Sequence, residues 1–89
     1  MGNYWLDKYL KMYTCEGVDY AIAFTLDDAK KIVQKQMGYT WDEVDEWDWM
    51  ILDSDSHFAY EENGVRTFKT VQEWIDQFGE GYFATSEYA

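Results

Sequence analysis

One histidine, His57, and one cysteine, Cys15, bound the chemistry open to this 89-residue chain. Nucleophilic catalysis needs a nucleophile, a base within reach and a group that orients the base. No local signature joins these two residues. Cys15 reads as a buried or incidental thiol, and His57 as a solvated side chain where a turn meets a strand. Asp53-Ser54-Asp55-Ser56-His57 is the best metal candidate, because Asp-x-Asp also opens an EF-hand loop. The likeness stops there. The sixth position of such a loop is Phe58 where glycine is required, and the twelfth is Gly64 where a bidentate glutamate is required. No glycine-rich phosphate loop is present. The residues therefore predict a protein that is not an enzyme, with no catalytic residue, metal ligand or cofactor assigned.

What the sequence does concentrate is carboxylate. Residues 36–65 hold nine acids and no Lys or Arg: Asp42, Glu43, Asp45, Glu46, Asp48, Asp53, Asp55, Glu61 and Glu62. Residues 1–35 balance five acids with five bases, so the net charge of −11 lies almost wholly beyond residue 35. Such a field repels nucleic acid and anionic lipid and attracts basic surfaces. Direct nucleic-acid binding is not expected, since phosphate affinity comes from Lys and Arg.

Three threonines announce the elements that position these groups. Thr25-Leu-Asp-Asp28 starts a helix whose stripe of Leu26, Ala29, Ile32, Val33 and Met37 ends at Gly38. Thr40-Trp-Asp-Glu43 starts a short helical turn to about Glu46. Thr70-Val-Gln-Glu73 starts a third helix, with Val71, Trp74, Ile75 and Phe78 on one face. Trp47–Asp53 reads as a strand with Trp47, Trp49 and Ile51 on one side. Asn63-Gly64 joins strands His57–Glu62 and Val65–Lys69 as a hairpin, placing Glu61 across from Arg66. Tyr82–Thr85 adds an edge strand.

Residues 8–24 admit two readings. Apolar and polar residues alternate on both sides of Glu16-Gly17, which predicts a hairpin. The rival is an N-terminal helix capped by Asn3, with Trp5, Leu6, Tyr9, Leu10 and Tyr13 on one side. The hairpin is favoured because Val18–Phe24 needs a strand partner. The whole chain, 1–89, then forms a single compact α+β domain. Its antiparallel sheet has about four to six strands, with two main helices packed on one face. Eighteen aromatic residues supply the core that so short a chain requires. With one cysteine, no intrachain disulfide and no apolar run of membrane-spanning length, the expected setting is the cytoplasm, away from membranes.

An acidic surface can serve solubility alone. Here the charge is segregated, its clustering costs stability through self-repulsion, and it is interleaved with large rings such as Trp41 and Tyr60. Carboxylates two apart on a strand lie roughly 6.6 Å apart, a spacing of the same order as successive nucleic-acid phosphates. In size, charge and aromatic content, the chain resembles the small acidic nucleic-acid mimics of phages and mobile elements, the anti-CRISPR and anti-restriction proteins. The resemblance rests on no motif, and those proteins share no single fold. It implies an inhibitor that occupies the basic nucleic-acid groove of a host defence nuclease complex, in the host cytoplasm if the chain is phage-encoded. The partner-binding set is then the nine carboxylates with Trp41 and Tyr60, and the partner a basic protein or ribonucleoprotein. Alternatives are an immunity protein or antitoxin against a basic nuclease, or a small metal-binding or assembly protein.

Overall fold

The computed structural model describes residues 9–85, Glu62 by its backbone alone. Six strands and three helices follow in the order ββααβββαβ among those residues. β1 (Lys11–Cys15) and β2 (Asp19–Ala23) form the antiparallel hairpin that the alternation favours. Its turn runs through two residues with positive φ, Glu16 at 53° and Gly17 at 71°. Of the rival helix, Asn3, Trp5 and Leu6 lie outside the described residues, while Tyr13 sits within a strand.

β3 (Trp49–Ile51) pairs with β1, and β6 (Gly81–Thr85) pairs with β2, giving one sheet in the order β3-β1-β2-β6. β4 (His57–Glu62) and β5 (Val65–Thr70) form a separate two-stranded sheet. The expected α+β class with an antiparallel sheet is present, and its strands divide between two sheets. In the β4–β5 hairpin, Asn63 and Gly64 have φ of 51° and 82°. A two-residue turn with both angles positive matches the twist of the flanking strands. It also sets the expected register, Glu61 opposite Arg66.

The helices begin where their threonines place them. α1 (Leu26–Met37) is capped by Thr25, which accepts from the Asp28 amide, and ends at a left-handed Gly38. α2 (Trp41–Glu46) is capped by Thr40. α3 (Val71–Phe78) has a full capping box: the Thr70 hydroxyl oxygen accepts from the Glu73 amide, and Glu73 accepts from the Thr70 amide. These bonds hold the Glu73 carboxyl below the usual glutamate range.

The helices do not share one face of the sheet. α3 packs on the side of Met12, Ile22 and Phe83. α1 packs on the side of Tyr13, Cys15, Ala21 and Ala23 through Ala29 and Val33. The reason lies in the two central strands. Met12 to Cys15 are all buried, as are Ala21, Ile22 and Ala23. A strand buried on both faces needs cover on both. The β4–β5 hairpin completes the α3 layer, inserting Phe58 and Tyr60 against the core cluster. A bulge in β6 leaves Phe83 without a partner in the ladder. Phe83 and Ala84 then meet the α3 cluster, while Tyr82 turns to the α1 side.

β3 is shorter than expected. Trp47 already belongs to the C-terminal cap of α2, and Met50 and Ile51 are exposed on the outermost strand. Among the described residues, no helix is long and apolar enough to cross a membrane.

Candidate functional site

The acidic stretch folds into three places rather than one face. The densest group is on α2. Val44 is the one buried residue of that helix, and Asp42, Glu43, Asp45 and Glu46 all point outward. Asp42 and Glu43 sit in the first turn, where the helix dipole favours them, and the Thr40 hydroxyl donates to Glu43 at 3.2 Å. Asp45 and Glu46 sit in the last turn, which holds no base, so the dipole opposes them. Trp41 opens the helix and is partly exposed. Asp45 is paired with Lys30 of α1 at 2.8 Å. Asp48 is exposed just beyond the helix, and its carbonyl accepts from the Glu16 amide at 3.0 Å. That bond brings Glu16, on the β1–β2 turn, into the same acidic neighbourhood.

The second group is the Asp53–Ser56 turn. Asp53 Oδ1 accepts from the Asp55 amide at 3.0 Å. The turn is tied to the start of α3 by Val71 N–H to Ser56 O and Gln72 N–H to Ser54 O, at 2.8 and 3.1 Å. The third is the tip of the β4–β5 hairpin, where Glu61 faces Arg66 and Glu62 lies opposite Val65. These last two groups belong with α3, across the sheet from α2. Tyr60, named with the carboxylates as a partner-binding ring, is half-buried. It packs against Trp74, Phe78 and Phe83 at centroid distances of 5.4, 5.8 and 4.8 Å, so it serves the core. His57 is exposed on the hairpin layer and Cys15 is buried against α1, so the sheet separates them. Among the described residues, no three His, Cys, Asp or Glu side chains converge as a metal site would require.

Sequence reasoning missed a feature beside α2. A cavity of about 180 Å³ opens between that helix and the β1–β2 turn, lined by Cys15, Glu16, Val18, Asp19, Tyr39 and Trp47. Tyr39 precedes α2 and Trp47 ends it, and their rings meet edge to face at 4.6 Å. Asp19 is only 2% exposed, an unusual position for a carboxylate. Its Oδ1 accepts from the Tyr82 hydroxyl at 2.8 Å, and the Cys15 thiol points at Oδ2 from 4.0 Å. Its main-chain carbonyl accepts from Thr14 Oγ1 at 2.9 Å. No ion pair neutralises Asp19 among the described residues.

Burial, reinforced by the Asp19 charge, pushes the Cys15 thiol up to about 11. Burial and the bond to Asp19 also raise the Tyr82 hydroxyl well above the ordinary tyrosine value. Both groups therefore stay protonated at neutral pH and act as donors to the carboxylate. Asp19 had one signal in the sequence: it is a lone acid in the otherwise uncharged strand Val18–Phe24.

Comparison of the chain with protein-family models, curated proteins and solved structures returned no match.

Proposed function

We propose that this protein is a non-enzymatic acidic inhibitor whose α2 surface occupies the basic nucleic-acid groove of a nuclease complex, as anti-CRISPR and anti-restriction mimics do. The observation that carries the reading is the exposed set Asp42, Glu43, Glu46 and Asp48, for which no ion-pair partner is found among the described residues. Two of these carboxylates lie where no local interaction rewards them: Glu46 at the wrong end of a helix, and Asp48 beyond it. Charges placed against local preference are most simply explained by a partner that wants them. Steering by such a field speeds encounter with a basic surface and makes binding salt-sensitive. Asp53, Asp55 and Glu61 extend the negative field on the other side of the sheet, so they act at longer range than α2.

The test is capture from lysate at low and high salt, followed by neutralisation of the α2 group. The combined variant Asp42→Asn, Glu43→Gln, Glu46→Gln, Asp48→Asn keeps the side-chain shapes, and a glutamine amide at the third helical position can still complete the helix cap. A basic nucleic-acid-handling complex should be captured by the parent protein and released by salt. Its affinity for the neutralised variant should fall by about 100-fold, on the order of 3 kcal/mol, with the thermal midpoint unchanged. Full inhibition by the neutralised, folded variant would end the proposal.

A further inference from the structure

The cavity beside α2 combines features that an anionic surface alone does not have. Its walls are aromatic, Tyr39 and Trp47, while Glu16 stands exposed at the rim and Asp19 is buried. The Asp19 carboxylate receives the Tyr82 hydroxyl on one oxygen and only a long thiol contact on the other. A carboxylate oxygen has room for two good donors, so Oδ2 keeps acceptor capacity. Burying a carboxylate without a cation is costly. The neighbouring donors offset part of that cost, and a bound cation would offset more.

We propose that this cavity receives the guanidinium of an arginine side chain from a basic partner protein. Arginine suits it better than lysine for three reasons. A planar cation stacks on indole and phenol rings, its fork of N–H donors can reach two carboxylates, and it is shed from water more readily than ammonium. The cavity volume, about 180 Å³, is large enough for a guanidinium with its adjoining methylenes. Trp47 is the hinge between the two features: it ends α2 and walls the cavity. A partner lying along α2 would therefore have an arginine within reach of Asp19. This inference rests on the reading of a basic protein partner, and it supplies the specific anchor that diffuse charge lacks.

The probe is N-acetyl-arginine amide, titrated into the ¹⁵N-labelled full-length chain and followed by the Trp47 indole and the Cys15, Glu16 and Asp19 amide signals. Saturable shifts confined to these groups are expected, with N-acetyl-lysine amide at least fivefold weaker. Asp19→Asn, which keeps an acceptor for Tyr82, should weaken arginine at least tenfold. Should that substitution disturb the fold, Glu16→Gln and Trp47→Leu carry the same test, each weakening arginine several-fold. Asp76→Asn, on α3 across the sheet, should change nothing. Shifts spread evenly over the α2 acids, or an arginine affinity indifferent to positions 16, 19 and 47, would overturn the proposal. The two readings fail separately. Partner capture that survives Asp19→Asn at full strength removes the anchor and leaves the charge mechanism. Arginine binding at Trp47 with no basic partner captured leaves the cavity and removes the inhibitor.

Discussion

On the α3 side of the sheet, rings meet rings. Trp74, Phe78, Phe83, Tyr60 and Phe58 form a continuous aromatic cluster, joined by Met12, Ile22, Val71 and Ile75. Trp74 is fully buried, and its indole N–H donates to the Phe58 carbonyl at 2.8 Å. The Lys69 ammonium lies 4.8 Å from the centre of its ring. On the α1 side the buried residues are smaller: Ala21, Ala23, Ala29, Val33 and Cys15, with Tyr13 the large ring among them, while Tyr39, Trp47, Trp49 and Tyr82 pack against them only half-buried. Small residues let the helix approach the sheet closely but bury less area each. That side also carries the buried carboxylate, the cavity and the α2 acids. The two faces divide the labour: one supplies stability in bulk, and the other supplies polar chemistry at some cost to it.

The largest expected effect tests that division directly. Burying a tryptophan removes roughly 200 Å² from water, worth about 5 kcal/mol. Trp74→Ala should therefore cost about 3–5 kcal/mol, a large part of what holds so small a domain together. Val33→Ala on the α1 side should cost about 2 kcal/mol. Urea unfolding followed by far-ultraviolet circular dichroism measures both. Equal losses would mean that the α1 face contributes as much to stability as the aromatic one, and the contrast would fall.

The same contrast marks what was legible beforehand. Local chemistry read well: each threonine cap started its helix, and Asn63-Gly64 fixed the hairpin register through Glu61 and Arg66. Those features depend on residues within a few positions of one another. Two helices on opposite faces were legible in principle from Met12–Cys15, a run of four uncharged residues, but alternation was the easier pattern to see in it. The Asp19 site was less accessible. Its defining bond comes from Tyr82, 63 residues away, and no periodicity points across such a distance. A ring among carboxylates looks exposed in sequence, but the half-buried Tyr60 also packs on the core. Its strand turns it inward, onto Trp74.

A smaller effect probes the polar side. The Cys15 thiol is raised from an ordinary 9.0 to about 11, with burial the main cause. In the unfolded chain the thiol ionises near its ordinary value; in the fold it resists. The neutral thiol is thus favoured by folding. Its stabilising contribution is complete below about pH 9 and lost as the pH climbs through about 11. Tyrosines and lysines also titrate there, so Cys15→Ala is the reference. Between pH 8 and 10.5 the parent protein should lose stability faster than the variant in urea titrations. Parallel curves would show that the thiol is more solvated than its position implies.

The smallest expected effect separates charge from exposed charge. Lys30 pairs with Asp45 at 2.8 Å, with side chains 12% and 55% exposed. A pair so open on one side contributes about 0–1 kcal/mol, so Asp45→Asn should barely move the unfolding midpoint. Glu46→Gln removes the same formal charge one residue on, from a carboxylate for which no ion-pair partner is found among the described residues and that the helix dipole opposes. It should raise stability slightly, because that repulsion disappears. Anion exchange reads the same difference. Asp45 is already compensated by Lys30, whereas Glu46 presents its full charge to a cationic resin. Glu46→Gln should therefore elute at lower salt than Asp45→Asn, despite identical net charge. Against a basic partner that contacts α2 directly, Glu46→Gln should likewise be the more damaging, since Glu46, unlike Asp45, presents an uncompensated carboxylate. Co-elution of the two variants would mean that the Lys30–Asp45 pair is not formed in solution, and Asp45 would then rejoin the exposed set that makes α2 the acidic side of the molecule.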